Sequence, residues 1–87
     1  MLREFEIWLH AHTDYQSVYN KNELSDSMVI DFENDNYIAR FTVWDDLSCM
    51  SEVMCANSGE YKLNKRNEFS NFDELLHYFK VFSESVK

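Results

Sequence analysis

Proline is absent from the sequence and glycine occurs once, at Gly59. A chain so poor in both has no flexible linker, and no glycine-rich loop to cradle a phosphate. Basic residues are scarce as well: eight Lys and Arg stand against sixteen Asp and Glu, a formal net charge of −8. That balance repels nucleic acid phosphates and anionic lipid heads, and makes a basic protein the expected macromolecular partner. No apolar run approaches the ~20 residues that cross a bilayer. The start, MLREFEIWLH, carries Arg3, Glu4 and Glu6 where a signal peptide is continuously apolar. These features place the chain in the cytoplasm. Only two cysteines are present, Cys49 and Cys55. In an extended segment they lie ~20 Å apart, too far for a mutual disulfide, and free thiols fit a reducing compartment.

Apolar residues, in contrast, make up 45% of the chain and aromatic residues 16%, far above the level of a disordered segment. Eighty-seven residues suffice for one small core, so the expectation is a single domain over 1–87 that is a monomer when free. Leu2, Phe5, Trp8, Leu9, His12, Tyr15 and Tyr19 recur at helical spacing and predict a helix over 2–19. The loop NKNELSDS follows. MVIDF and YIARFTVW alternate with period two and predict a hairpin turned by ENDN. CMSEVMCA reads as a third strand with apolar residues on both faces, so its buried face stays open. NSGE places Gly59 where a type I turn with a bulge needs positive φ. YKLNKR then reads as an exposed edge strand guarded by Lys62, Lys65 and Arg66. The ending FSNFDELLHYFKVFSESVK starts with a capping-box-like Ser70 and Asp73. It continues with Phe72, Leu75, Leu76, Phe79, Phe82 and Val86, a helix over about 71–85. The class is therefore α+β: an N-terminal helix, a four-stranded antiparallel meander and a C-terminal helix, with both helices on one face of the sheet.

Several chemical readings fail on spacing. Asp31, Glu33 and Asp35 match the first three ligand positions of a calcium-binding EF-hand loop. However, the sixth position is Asn36 instead of Gly and the twelfth is Thr42 instead of Glu. His10 and His12 stand two apart on a helix and point about 200° away from each other, so one metal does not collect both. No Ser, Cys or His is singled out as a nucleophile with its base. The reading is a non-enzyme without catalytic residues, metal or cofactor.

More informative is the alternation in YIARFTVW. If Tyr37, Ala39, Phe41 and Val43 face the helices, then Ile38, Arg40, Thr42 and Trp44 face away, onto an uncovered sheet surface. A shift of one residue would instead bury Trp44 and expose Phe41. An exposed aromatic rimmed by acid is the signature of an interface anchor. The candidate partner-binding residues are Asp31, Glu33, Asp35, Asp45 and Asp46 as charge partners, with Tyr37 and Trp44 as anchors. A small adaptor or subunit of a constitutive complex would use the same surface.

The N-terminal FEIWLHAH, the strand YIARFTVWDD, the SGE turn and the closing FSNFDELLHYF together resemble the small bacterial immunity proteins of polymorphic toxin systems, and more narrowly the TriTu-type immunity family. This sequence departs from the family pattern at WDDLS, where a glycine commonly follows the tryptophan strand. The resemblance implies a non-catalytic protein that binds and blocks a cognate toxin. TriTu-type members are paired with Rhs-associated toxins, of the type VI secretion class, that use NAD to ADP-ribosylate elongation factor Tu. Other members of the wider group neutralise nucleases.

Overall fold

The architecture comes from a computed structural model that describes all 87 residues, Met1–Lys87. Helix α1 (Leu2–His12) buries Leu2, Phe5 and Leu9, one stripe at the 3–4 residue spacing of a helix. It ends earlier than the expected 2–19. Thr13 turns to an extended backbone, φ −142° and ψ 167°, and both its N–H (2.8 Å) and its hydroxyl (2.7 Å) donate to the Leu9 carbonyl. Beyond this stop Ser17–Asn20 forms a strand, β1, that pairs with the next strand from Ser17↔Ile30 to Asn20↔Ser27. The sheet therefore has five strands, not the expected four. Tyr15 and Tyr19 prolong the helical stripe in the sequence, but Thr13 gives the backbone an alternative to helix, and the free edge of the following strand supplies β-ladder partners.

The remaining strands are β2 (Ser27–Glu33), β3 (Tyr37–Trp44), β4 (Ser48–Cys55) and β5 (Tyr61–Glu68), in the antiparallel order β1-β2-β3-β4-β5. The β2–β3 hairpin turns as expected: the Asn34 side-chain oxygen accepts from the N–H groups of Asn36 (2.8 Å) and Tyr37 (2.7 Å). Gly59 has φ +73° in the β4–β5 turn, the left-handed conformation that only glycine takes without cost. At the β3–β4 turn Leu47 holds the same conformation, φ 68°, without being glycine. Helix α2 (Phe72–Ser85) begins one residue later than the Ser70 and Asp73 pattern suggests. Its cap is Asn71, whose side chain accepts from Glu74 N–H (2.9 Å), while the Glu74 carboxylate accepts from Ser70 N–H (2.6 Å).

Register decides which face meets the helices. Ile30 lies opposite Phe41, Val43 opposite Cys49 and Ala39 opposite Val53, and all six are buried. The open question of β4 is settled by this pairing: Cys49, Ser51 and Val53 point to the helices, Met50, Glu52 and Met54 away. From above, Phe79 contributes a ring 5.3 Å from Phe41 and 5.4 Å from Phe5, and Phe82 one 5.3 Å from Phe41. Phe5 of α1 stands 6.0 Å from the same Phe41. Both helices thus share one sheet face, as expected, and an aromatic cluster is the centre of the core.

Candidate partner-binding face

Phe41 is fully buried against the helices, so its odd-numbered neighbours in β3 define the covered side and Ile38, Arg40, Thr42 and Trp44 the open one. The one-residue shift that would bury Trp44 is not adopted. Trp44 is half-buried among sheet neighbours, opposite Ser27 and Ser48, with no layer above it.

The candidate carboxylates divide between the two ends of this face, a strand length of ~23 Å apart. At the β2–β3 end, Asp31 accepts from Arg40 Nε (2.7 Å) and Nη2 (3.3 Å) across the hairpin. The pair, hydrogen bond first and charge second, holds the guanidinium pKa above its ordinary value. Glu33 is exposed at the end of β2, and Asp35 is exposed in the turn. At the β3–β4 end, Asp45 is a structural tie. Its carboxylate accepts from Asp26 N–H (2.9 Å) and its own N–H donates to the Asp26 carbonyl (3.0 Å). Asp46 accepts from the Ser48 hydroxyl. Asp26 also accepts from the Tyr19 hydroxyl (2.7 Å), which raises the Tyr19 pKa by stabilising the phenol.

Tyr37 does not share this surface. It points to the helix side and packs half-buried against the core, with the Lys62 ammonium 4.8 Å from its ring centroid. Lys62 also donates to the Ser85 carbonyl (2.8 Å), so Tyr37 and Lys62 tie β3, β5 and the end of α2 together.

Sequence reasoning missed the β4 and β5 members of the open face. Glu52 stands opposite Arg40 and Asn64, and Met54 opposite Ile38 and Tyr61. The available signal was Glu52 itself, the one carboxylate in SCMSEVMC, whose parity marks the solvent side of that strand. Around Asp31 the surface is concave. A hollow of about 490 Å³ opens where β1 stops and β2 runs on, lined by Asp14, Tyr15, Gln16, Asp31, Phe32 and Glu33. Two smaller ones, about 230 and 110 Å³, adjoin it on Ile38 and Ala39.

The chemistry of the remaining groups is plain. No cluster of three His, Cys, Asp or Glu side chains is spaced to hold a metal ion. His12 stacks on Trp8 at 4.9 Å, whereas His10 lies 3.4 Å from the Ser17 hydroxyl. Cys49 and Cys55 are free thiols. Burial pushes Cys49 up to about 11, while hydrogen bonds from the Ser58 hydroxyl and then the Ser58 and Asn57 backbone lower Cys55. No helix is long and apolar enough to cross a membrane.

Two comparisons with known proteins bear on this arrangement. The family model described as Immunity protein TriTu matches residues 3–85, nearly the whole chain. No curated protein matches the chain.

Proposed function

The chain belongs to the TriTu family of immunity proteins, and we propose that it neutralises its cognate toxin by seating on the toxin and occluding the active site. The family match over 3–85 carries this reading. A net charge of −8 supports it, because it steers a basic toxin domain toward the chain, and fast capture matters when one toxin molecule modifies many targets. The toxin in this proposal is an ADP-ribosyltransferase that acts on elongation factor Tu, and the inhibitor's acidic and aromatic side chains lie where NAD or the target loop would sit. The free inhibitor is a cytoplasmic monomer.

Co-expression tests the proposal. Cells that produce the toxin domain encoded beside this chain stop growing, and the chain restores growth. With it, ADP-ribose label from NAD no longer appears on elongation factor Tu in lysates. Growth arrest that persists with the chain abundant and folded would rule the immunity reading out, whereas rescue without any labelled elongation factor in the unprotected cells would remove only the ADP-ribosyltransferase assignment.

A further inference from the structure

The exposed apolar side chains of this molecule are not distributed evenly. Ile7 and Val81 on the helix layer, Val18 and Tyr19 on the edge strand β1, Leu24 in the loop after it and Leu47 in the β3–β4 turn are spread over the rest of the surface, which is ordinary for a folded protein. On the open sheet face Ile38 is 42% and Tyr61 54% exposed, and both flank the half-buried Met54 in one cross-strand row. The adjacent row is charged: Asp31, Arg40, Glu52 and Asn64 run side by side across β2 to β5. Arg40 is committed to Asp31, and Glu52 has no ion pair within the chain. Four carboxylates point outward from this face, Asp31, Glu33, Glu52 and Glu68, against the guanidiniums of Arg40 and Arg66.

We propose that the toxin docks on this open face at its β2–β3 hairpin end, with Ile38, Met54 and Tyr61 as the apolar centre and Asp31, Glu33 and Glu52 facing Lys or Arg side chains of the toxin. The proposal rests on the immunity reading and specifies its surface. Three observations support docking there, and the first of them selects a basic partner. The face carries a surplus of acid, with Glu52 unpaired beside the apolar row. Hollows adjoin that row on both sides of Asp31, so side chains of a partner have room to enter. The whole open face, with strands ~4.8 Å apart and up to ~23 Å long, spans roughly 500 Å² before side-chain relief is counted, a large part of the ~800 Å² that one partner gives to a standard interface. A second copy of this chain fits poorly, because two surfaces with the same surplus of acid and a charge of −8 each repel.

The test is titration calorimetry with the purified toxin domain encoded beside this chain. Ile38→Asp and Glu52→Lys are each expected to weaken binding about 30-fold or more, the loss typical of an interface hot spot. Ile7→Asp, on the helix layer, stays within about twofold, as for residues outside an interface. Tyr61→Ala, a truncation on the edge strand, reads the same surface if Ile38→Asp disturbs β3. Wild-type affinity in Glu52→Lys and Tyr61→Ala overturns the docking surface and leaves the immunity reading intact. A wild-type chain that neither binds the toxin nor restores growth removes both. Sedimentation as a dimer that Ile38→Asp dissociates would assign the face to self-association and overturn the proposal.

Discussion

The two faces of the sheet are made from alternate residues of the same strands, yet they have opposite chemistry. The covered face holds Met28, Ile30, Phe41, Val43 and Val53, all without solvent exposure, under Phe5, Phe79 and Phe82. The open face alternates Ile38, Met54 and Tyr61 with Asp31, Arg40 and Glu52, and has nothing above it. One side spends its apolar area on folding, where the aromatic rings interlock at 5.3–5.4 Å. The other leaves a smaller apolar area in water within a charged frame, which disfavours unselective aggregation and leaves surface for a partner. The division teaches that in this small domain stability and recognition can be altered separately, because a side chain on one face does not reach the other.

The largest effect that tests this separation is Phe79→Ala. Phe79 contacts Phe5, Phe41 and Phe82, and its truncation is expected to cost about 3–5 kcal/mol in urea melts. Where the variant remains folded, toxin affinity is unchanged; a specific loss of affinity would mean the core and the open face are coupled. Next is Met54→Ala in the apolar row of the open face, expected to weaken toxin binding by ~2 kcal/mol while the chain stays folded. Unchanged affinity there would contradict the docking end, whereas Trp44→Ala, a strand length away, is expected to change affinity no more than about twofold. A smaller effect of opposite sign is expected at the turn between the two strands. Leu47→Gly relieves a left-handed backbone at φ 68°, which stabilises by about 0.5–1 kcal/mol in thermal melts without altering binding.

The two cysteines give the mildest test, since both lie on the helix side of β4, Cys49 within the core and Cys55 at the strand end. Iodoacetamide at pH 7.5 modifies Cys55 first, because Ser58 lowers its pKa and the side chain is partly accessible. Cys49 faces the core and is labelled only as fast as the protein opens. The sign of its pH effect follows from a folded pKa of about 11 against an ordinary 9. The unfolded chain releases this proton first, so the contribution is complete below pH 9 and is lost as pH rises from 9 to about 11. Melting temperature is therefore flat from pH 7.5 to 8.5 and falls above 9. Equal labelling of both thiols in the native protein would contradict the burial of Cys49 in the core.

Much of this organisation was legible in the residues. The alternation of YIARFTVW left two registers, of which the structure adopts the one with Trp44 away from the helices, and the apolar stripe of FDELLHYFKVF marked the second helix, because one buried face imposes a period that the sequence must keep. The first helix was misread where local pattern and tertiary pairing compete. Tyr15 and Tyr19 sit at helical spacing after Leu9, but Thr13 ends the helix and β2 recruits Ser17–Asn20 as an edge strand. Nor was the role of each acid visible. Asp45 and Asp46 brace turns, and Asp31 is paired with Arg40, while Glu52 emerges beside them only once the cross-strand register is known. Tyr37 was grouped with Trp44 by chemistry, although parity alone separates the two.

Hydroxyl-radical footprinting of the inhibitor with and without its toxin tests the separation of faces most directly, because both faces carry oxidisable side chains. Trp44, Met50, Met54 and Tyr61 report the open face, and Trp8 and Tyr78 the helix layer. Toxin is expected to slow oxidation of Met54 and Tyr61 several-fold and to leave Trp8 and Tyr78 unchanged. Protection of Trp8 and Tyr78 with Met54 and Tyr61 still freely oxidised would contradict it.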